Sequence, residues 1–194
     1  MDTGKFLKTD MQQPDYWTKW YSGRWRMEPS PFAKWVQENF VIRPMRIVDC
    51  GCGDGRDSEY FSSKGNTVTG IDMADVDRSG TNALYVKADV MDSLLLIHDA
   101  ELVYARWFLH AITKEQEIVF LDDACARSNM IALEFRVSED WEVDDHYRRS
   151  VGLHEVRDRL LFNGWRVEFL DNGAGWSPRD GEDPFLGRVI AFQS

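Results

Sequence analysis

The sequence is poor in cysteine, with three residues in 194, two of them at Cys50 and Cys52. So small and odd a number does not supply the disulfide framework of a small secreted domain, and we expect a reducing, cytoplasmic location. The longest aliphatic run is Leu94–Ile97, whereas a membrane helix needs about 20 apolar residues. Residues 1–5 lack the apolar core of a secretory signal. We therefore expect neither a leader nor a membrane span.

Positive charge is also scarce, because 23 Lys and Arg stand against 33 Asp and Glu, a formal charge of −10. The basic residues form no dense block that could offset this excess. A polyphosphate backbone would be repelled. The sequence therefore predicts no nucleic-acid partner.

Repeats, low-complexity tracts and linkers are absent as well, which predicts a single domain over residues 1–194. Residues 1–44 are predicted to form an N-terminal helical lid ahead of a core at 45–194, which would hold the ligand-binding site. Ser30 is placed to cap a helix that begins at Pro31, and a second amphipathic helix is predicted for Asp15–Arg24. Half of the eight tryptophans lie in this segment: Trp17, Trp20, Trp25 and Trp35.

From Met45 onward, short β-branched or apolar runs alternate with helical patterns. The predicted strands are Arg46–Cys50, Thr67–Asp72, Leu84–Ala88, Leu102–Arg106, Met130–Phe135, Trp165–Leu170 and Arg188–Phe192. The predicted helices between them are Asp57–Lys64, Lys114–Arg127 and His146–Asn163. This alternation predicts a Rossmann-like, doubly wound, mostly parallel seven-stranded α/β sheet. A turn-rich segment separates the last two strands, which predicts an antiparallel edge.

The segment Ile47–Asp57 carries the most specific pattern, a buried strand followed by glycines at 51, 53 and 55 and then a helix. Such a turn brings backbone close to a ligand and leaves amide groups to donate to it. The simpler alternative is a tight turn that uses glycine for conformational reasons only. A dinucleotide site is disfavoured, because Arg56 stands where the third glycine should fall and Asp49 and Asp54 would repel a pyrophosphate.

Two more acids end the next two strands. Asp72 lies about twenty residues beyond the glycines, where a carboxylate can accept both hydroxyls of a ribose. Asp89 ends the third strand and is placed to meet an adenine amino group. Either acid alone could be a turn former, but together with Asp49 they follow the order expected of a nucleoside-containing ligand.

Through these residues the sequence resembles the class I S-adenosylmethionine-dependent methyltransferases over Met45–Phe135. The resemblance implies S-adenosylmethionine as the cofactor. It implies contacts from Asp49, Gly51, Cys52 and Gly53 to the methionine part, from Asp72 to the ribose, and from Met73, Asp89 and Val90 to the adenine. The stretch Met73–Leu84 departs from the family because it is too short for a full helix.

Many small-molecule members of this family cover the cofactor with N-terminal helices. Tyr16, Trp17, Trp20 and Tyr21 resemble such a lid, and Tyr16, Trp17 and Tyr21 are predicted to contact the cofactor. The alternative is that the tryptophans only anchor the N-terminal segment to the sheet.

The residues after the fourth strand line the acceptor site in this family, and here Arg106 and His110 stand out. Arg106 places a permanent cation near the reacting atoms and is a candidate for cofactor and acceptor contacts, while His110 is a candidate base or orienting group. Alternatively, Arg106 pairs with a neighbouring acid and His110 is a core residue. The Asn-Pro-Pro-Tyr type of signature found in amino-methylating nucleic-acid enzymes is absent.

A second acceptor-side group is predicted in the segment after the fifth strand. His146, Tyr147, Arg148 and Arg149 all carry hydrogen-bond donors, and Glu134 ends the fifth strand. The alternative for the two arginines is a solvated helix face. These segments resemble methyltransferases of bacterial surface-polysaccharide (capsule and O-antigen) pathways.

The expected function is therefore a metal-independent methyl transfer from S-adenosylmethionine to an oxygen of a small saccharide or anionic acceptor. A hydroxyl acceptor would need a base, for which His110, His146 and Glu134 are the candidates. Two alternatives stay open: a cofactor-binding regulatory module without turnover, and a protein methyltransferase.

Overall fold

The structure is a computed structural model, and it describes residues 14–22, 28–78, 80–137, 149–176 and 183–194. Three residues of the predicted site, namely His146, Tyr147 and Arg148, lie outside these ranges, as does Trp25 of the N-terminal segment. Their predicted roles stay predictions.

Seven strands of the described residues form one sheet. They are β1 (Arg46–Cys50), β2 (Thr67–Asp72), β3 (Leu84–Lys87), β4 (Ala100–Arg106), β5 (Ser128–Arg136), β6 (Trp165–Gly173) and β7 (Leu186–Gln193). The order is β3-β2-β1-β4-β5-β7-β6, and β1 to β5 pair in parallel. Strand β7 runs antiparallel to both neighbours and lies between β5 and β6. The predicted mostly parallel sheet with an antiparallel pair at one edge is confirmed.

Helices cover both faces of the sheet, which is the doubly wound arrangement. They are α1 (Pro14–Tyr21), α2 (Pro31–Asn39), α3 (Arg56–Ser63), α4 (Lys114–Arg127) and α5 (Leu153–Phe162). Helices α2 and α3 bury Phe32 and Phe61 against one face, and α4 and α5 bury Phe120 and Leu160 against the other. The apolar core is therefore split into two layers by the sheet, as the alternating pattern predicts.

Two helix starts agree with their capping residues. The Ser30 hydroxyl accepts a hydrogen bond from the Ala33 amide at 3.0 Å, which begins α2 at Pro31. Helix α4 covers the predicted range because Thr113 and Gln116 form a reciprocal capping box. Where a polar side chain satisfies the first amides, the helix start can be predicted from the sequence.

The predicted start of α5 was wrong, since the helix begins at Leu153 and not at His146. The Arg149 amide donates to the His110 carbonyl, and the Val151 amide donates to the Arg136 carbonyl, at 3.0 and 3.2 Å. These long-range bonds tie Arg149 to the segment after β4 and Val151 to the end of β5. The same segment could not also make the local bonds of a helix.

The connections that follow β2, β3 and β4 differ in secondary structure. Residues 73–78 and 80–83 form no helix, in agreement with the short spacing to β3. Residues Met91–Ile97 and Leu109–Ala111 form short 3₁₀ segments that the sequence did not predict.

Within the described residues, no helix has the length and apolarity needed to span a membrane.

Candidate functional site

A cleft opens at the carboxyl ends of the parallel strands, where ligands bind in open α/β sheets. Its walls come from α1 and from the segments that follow β1, β2, β3 and β4. The lining residues are Trp17, Trp20, Tyr21, Asp49, Gly51, Cys52, Asp54, Arg56, Asp57, Asp72, Met73, Asp89, Val90, Arg106, Trp107, Phe108, His110, Ala111 and Ile112. The fold therefore brings the predicted cofactor and acceptor residues of four strand ends to one place.

The turn after β1 has left-handed backbone at Gly51 and Gly53, with φ of 74° and 57°. The Gly51 amide donates to the Ile71 carbonyl at 2.8 Å, so the turn is tied to β2. A Cβ at position 51 would lie 3.0 Å from the Phe108 ring. Glycine is needed here both for the backbone conformation and for the close approach of the segment after β4.

Asp72 ends β2 with its carboxylate in the cleft. It accepts hydrogen bonds from the amides of Gly53 and Ala74, each at 2.8 Å. Burial raises the pKa of Asp72, although the two amide donors oppose that shift. Each carboxylate oxygen has a further lone pair, so the group can still accept hydroxyl donors from a ribose.

Sequence reasoning missed Arg78, which comes from the loop after β2. Its guanidinium Nε donates to the Gly53 carbonyl at 2.9 Å and lies over the Tyr85 ring, 5.3 Å from the centroid. Arg78 thus binds the carbonyl of the same glycine whose amide donates to Asp72. No spacing rule could have found it, because the contact joins residues 25 positions apart across an irregular loop.

Asp49 is buried in the floor of the cleft and accepts one hydrogen bond, from the Ser58 hydroxyl at 2.6 Å. Burial raises its pKa to about 8, and the charge of nearby Asp57 adds to the rise. A carboxyl group in this setting is stabilised by a cation placed beside it.

Asp57 is a second buried acid that sequence reasoning did not assign to the site. It accepts hydrogen bonds from the Ser30 amide and hydroxyl, both at 2.7 Å, and from the Tyr104 hydroxyl at 2.9 Å. Asp57 therefore ties the start of α2 to β4 and also forms part of the cleft wall.

Met73, Asp89 and Val90 form the wall beyond Asp72. Val90 is buried, and the Asp89 side chain accepts a hydrogen bond from the Met91 amide at 2.9 Å. Asp89 therefore helps to form the turn, as the alternative interpretation proposed, and it also lines the cleft. One of its two oxygens is used by the turn.

Helix α1 lies over the glycine turn. A Cβ at Gly53 would be 2.4 Å from the Tyr21 hydroxyl, so Tyr21 rests directly on the backbone there. The Asp75 amide donates to the Thr18 hydroxyl at 2.8 Å and tethers the helix to the loop after β2. Trp17, Trp20 and Tyr21 line the cleft, whereas Tyr16 does not and packs against Trp17, with ring centroids 5.0 Å apart.

The acceptor end of the cleft is formed by Arg106, Trp107 and His110. Trp107 has a left-handed backbone, φ 58°, which is costly for an aromatic residue and marks functional sites when it occurs. Its ring lies 4.7 Å from the Arg106 guanidinium and 5.1 Å from that of Arg136. The Trp107 indole N–H is buried without a hydrogen-bond acceptor among the described residues.

Two predicted acceptor-side residues lie outside this wall. Both oxygens of the buried Glu134 carboxylate are in ion pairs, with Arg106 Nε at 2.9 Å and with Arg188 Nε at 3.0 Å. The Arg149 guanidinium donates to the carbonyls of Leu109 and Ile112 and pairs with Glu117. Glu134 is therefore held as a bridging anion, and Arg149 fixes the loop after β4 to α4.

Comparison with solved structures identifies the fold. The 1,6-didemethyltoxoflavin-N1-methyltransferase of Burkholderia thailandensis superposes with a TM-score of 0.67 at 17% identity, over 84% of this chain and 77% of the other. The magnesium protoporphyrin IX methyltransferase of Synechocystis gives 0.61 at 16% identity, over 84% and 76%. The chain therefore has the fold of the class I S-adenosylmethionine-dependent methyltransferases.

At the level of sequence, residues 10–101 match the family of the tellurite resistance protein TehB. TehB of Haemophilus influenzae also shares the fold, with a TM-score of 0.67 at 14% identity, over 84% of this chain and 61% of TehB. The ubiquinone biosynthesis O-methyltransferase of Pseudomonas entomophila is 40% identical over 43 residues. That stretch covers 22% of this chain and 18% of the enzyme.

Proposed function

We propose that this chain is an S-adenosylmethionine-dependent methyltransferase that acts on an oxygen of a small anionic or saccharide acceptor. The observation that supports this proposal most directly is the position of the Asp72 carboxylate, which lies in the cleft at the end of β2 and beside the glycine turn. The proposal includes a cytoplasmic location, which the low cysteine content favours.

The cleft suits the charge and shape of the cofactor. The acids that line it next to the glycine turn favour a cation over a phosphate-bearing ligand. Asp72 would accept the ribose hydroxyls, Met73 and Val90 would pack on the adenine, and Asp49 would face the methionine part. When bound, S-adenosylmethionine supplies an electrophilic methyl group on its sulfonium.

Helix α1 would exclude water from the bound cofactor. Trp17, Trp20 and Tyr21 present aromatic surface to the cleft, and Tyr21 rests on the glycine turn. Burial raises the pKa of Tyr21, with the charges of Asp72 and Asp54 adding to the effect, so its hydroxyl stays neutral. A neutral, hydrogen-bonding cover is suited to a pocket that must accept a charged ligand.

The acceptor would enter at the opposite end. Arg106 supplies a cation there, and the buried indole N–H of Trp107 supplies a donor that lacks an acceptor in the described residues. Both features favour an oxygen that carries negative charge or a lone pair. Among the described residues, His110 is the remaining base candidate at the cleft, because both Glu134 oxygens are in ion pairs. His146 stays a candidate outside them. The local match to an O-methyltransferase also favours transfer to oxygen.

Calorimetric titration with S-adenosylhomocysteine tests the cofactor site. We expect Asp72→Ala to weaken binding at least about tenfold, equivalent to about 1.4 kcal/mol. Asp75→Ala is the matched control, because Asp75 lies in the same segment but is exposed and pairs with Lys87. Absence of binding by the wild type, or equal affinity for the two variants, would refute the assignment.

Turnover of methyl-labelled S-adenosylmethionine with a panel of sugars and sugar phosphates tests the acceptor. We expect Arg106→Ala to raise the KM for a phosphorylated acceptor more than for its neutral analogue. An equal rise for both would contradict the anion-binding role of Arg106. Binding without turnover on any acceptor would favour the regulatory-module alternative, and label recovered in protein would favour a protein substrate.

A further inference from the structure

Four charged side chains lie opposite one another on adjacent strands at the carboxyl end of β4. Arg106 of β4 pairs in register with Glu134 of β5, Glu134 with Arg188 of β7, and Arg188 with Asp171 of β6. The side chains follow the same order, with N–O distances of 2.9, 3.0 and 3.0 Å. Alternating charges thus run across the sheet from the cleft to its edge, and we call this set the charge ladder.

Burial of the ladder makes its partners interdependent. The side chains of Glu134 and Arg188 are fully buried, Arg106 is 11% exposed and Asp171 is 43% exposed. A buried carboxylate shared by two guanidiniums neutralises neither of them completely. Arg106 therefore keeps more positive charge toward the cleft than it would in a simple pair with Glu134.

Arg188 is held from a second direction as well. Its guanidinium lies 4.1 Å from the centroid of the Trp176 ring, and Trp176 contacts Trp35 of α2, with ring centroids 5.5 Å apart. Arg188, inside the ladder, is thus also held by the packed aromatic side chains under α2. One end of the ladder, Arg106, lies in the cleft wall.

We propose that Arg188 and Asp171 are positioning residues, which hold Glu134 so that the Arg106 guanidinium is fixed at the acceptor end and its positive potential there is not fully offset by Glu134. This inference rests on the proposed function only for the identity of the anion, which would be the acceptor. It assigns Glu134 the role of a bridge rather than a base. A functional group needs such support from buried neighbours to keep its geometry.

Nuclear magnetic resonance of the arginine Nε–Hε groups tests the ladder directly. The Arg106 signal is assigned by its loss in Arg106→Lys, and inorganic phosphate serves as the anion probe. In the wild type we expect phosphate to shift this signal. In Arg188→Met we expect the signal of the free protein to move and the phosphate affinity to fall at least several-fold.

Two further variants make the result interpretable. Asp171→Asn removes only the half-exposed end of the ladder, so it should fold. Because Arg188 would then pair more fully with Glu134, we expect a smaller change in phosphate affinity, in the opposite direction. Arg127→Met is the matched control, because it removes an arginine that pairs with Asp123 at 2.8 Å within α4. An Arg106 signal and a phosphate affinity that are the same in Arg188→Met, Asp171→Asn and Arg127→Met would overturn the proposal.

A double-mutant comparison separates positioning from mere stability. If Arg188 acts through Arg106, Arg188→Met should weaken phosphate binding in the wild type but not further in an Arg106→Met background. Additive losses would overturn the proposal. Failure of the proposed function would appear separately, as an absence of S-adenosylhomocysteine binding in a protein whose ladder still responds to phosphate.

Discussion

Asp49 and Asp57 are neighbouring buried carboxyl groups that the fold supports unequally. Asp57 accepts three hydrogen bonds from Ser30 and Tyr104, whereas Asp49 accepts one from Ser58. Burial, together with the charge of Asp57, raises the pKa of Asp49 to about 8. Asp49 is therefore the group at the cleft floor whose charge a bound cation would change most.

The pH dependence of stability should reveal Asp49. Its pKa is raised from 3.8 in the unfolded chain to about 8 in the folded one, so between these values the folded state holds a proton that the unfolded state has lost. Its contribution to the free energy of unfolding therefore falls as pH rises through this window, by up to about 1.4 kcal/mol per pH unit. In Asp49→Asn this slope should be removed.

The measurement is urea unfolding from about pH 5 to about pH 8, the range in which most proteins are most stable. Asp75→Asn is the control, because Lys87 lowers the pKa of that exposed acid. Parallel profiles for the wild type and Asp49→Asn would show that Asp49 is already ionised in the folded protein.

Removing the Ser30 hydroxyl should destabilise the protein by about 1–3 kcal/mol. Ser30→Ala loses two buried hydrogen bonds of the Ser30 hydroxyl. One caps α2 and the other is donated to Asp57. Ser63→Ala is the control, since the Ser63 hydroxyl makes only an exposed bond to the Tyr60 carbonyl. Chemical denaturation measures both variants, and equal stabilities would mean that Asp57 does not depend on Ser30.

A methyl group at Gly53 should weaken S-adenosylhomocysteine binding because it would push Tyr21 off the glycine turn. The added Cβ would lie 2.4 Å from the Tyr21 hydroxyl, and the backbone φ is 57°. Gly65→Ala separates the two effects, because Gly65 has φ 90° but nothing within 4 Å of its Cβ position. We expect backbone strain to lower the stability of both variants. Only Gly53→Ala should lose affinity for S-adenosylhomocysteine, which calorimetry measures.

Arg149→Met should lower stability without changing the response of the cleft to phosphate. Arg149 fixes the loop after β4 through the Leu109 and Ile112 carbonyls and pairs with the buried Glu117. We expect a loss of about 1–3 kcal/mol in the free energy of unfolding. The control is Arg166→Met, which removes an exposed pair with Glu168. A selective loss of phosphate binding in Arg149→Met would restore the acceptor-binding interpretation.

The strands and the cofactor end of the cleft could be predicted because their signals are local. A buried parallel strand is a continuous apolar run, and the glycine turn and the acid at Asp72 follow such runs directly. All seven predicted strands were found, and α4 has the predicted bounds. The start of α5 was mispredicted because the amides of Arg149 and Val151 make long-range hydrogen bonds to His110 and Arg136, which the sequence does not reveal.

The acceptor end could be predicted only in part. The sequence places Arg106 and Glu134 at the ends of their strands and His110 just after one, but it does not give the pairing of Glu134 with Arg188. That contact joins residues 54 positions apart and exists because β7 reverses direction and inserts between β5 and β6. Arg78 escaped notice for a similar reason, since its partner Gly53 lies across an irregular loop.

The sequence by itself determined the doubly wound sheet, the glycine turn and the order of the acids along the strand ends, because periodicity and turn chemistry act between near neighbours. Only the tertiary structure decided which charges meet. It made Glu134 a bridge, Arg149 a structural clamp and Asp57 a link between α2 and β4. Each of these roles depends on partners that are distant in the chain, and burial of a charge is stable only where such a partner is supplied.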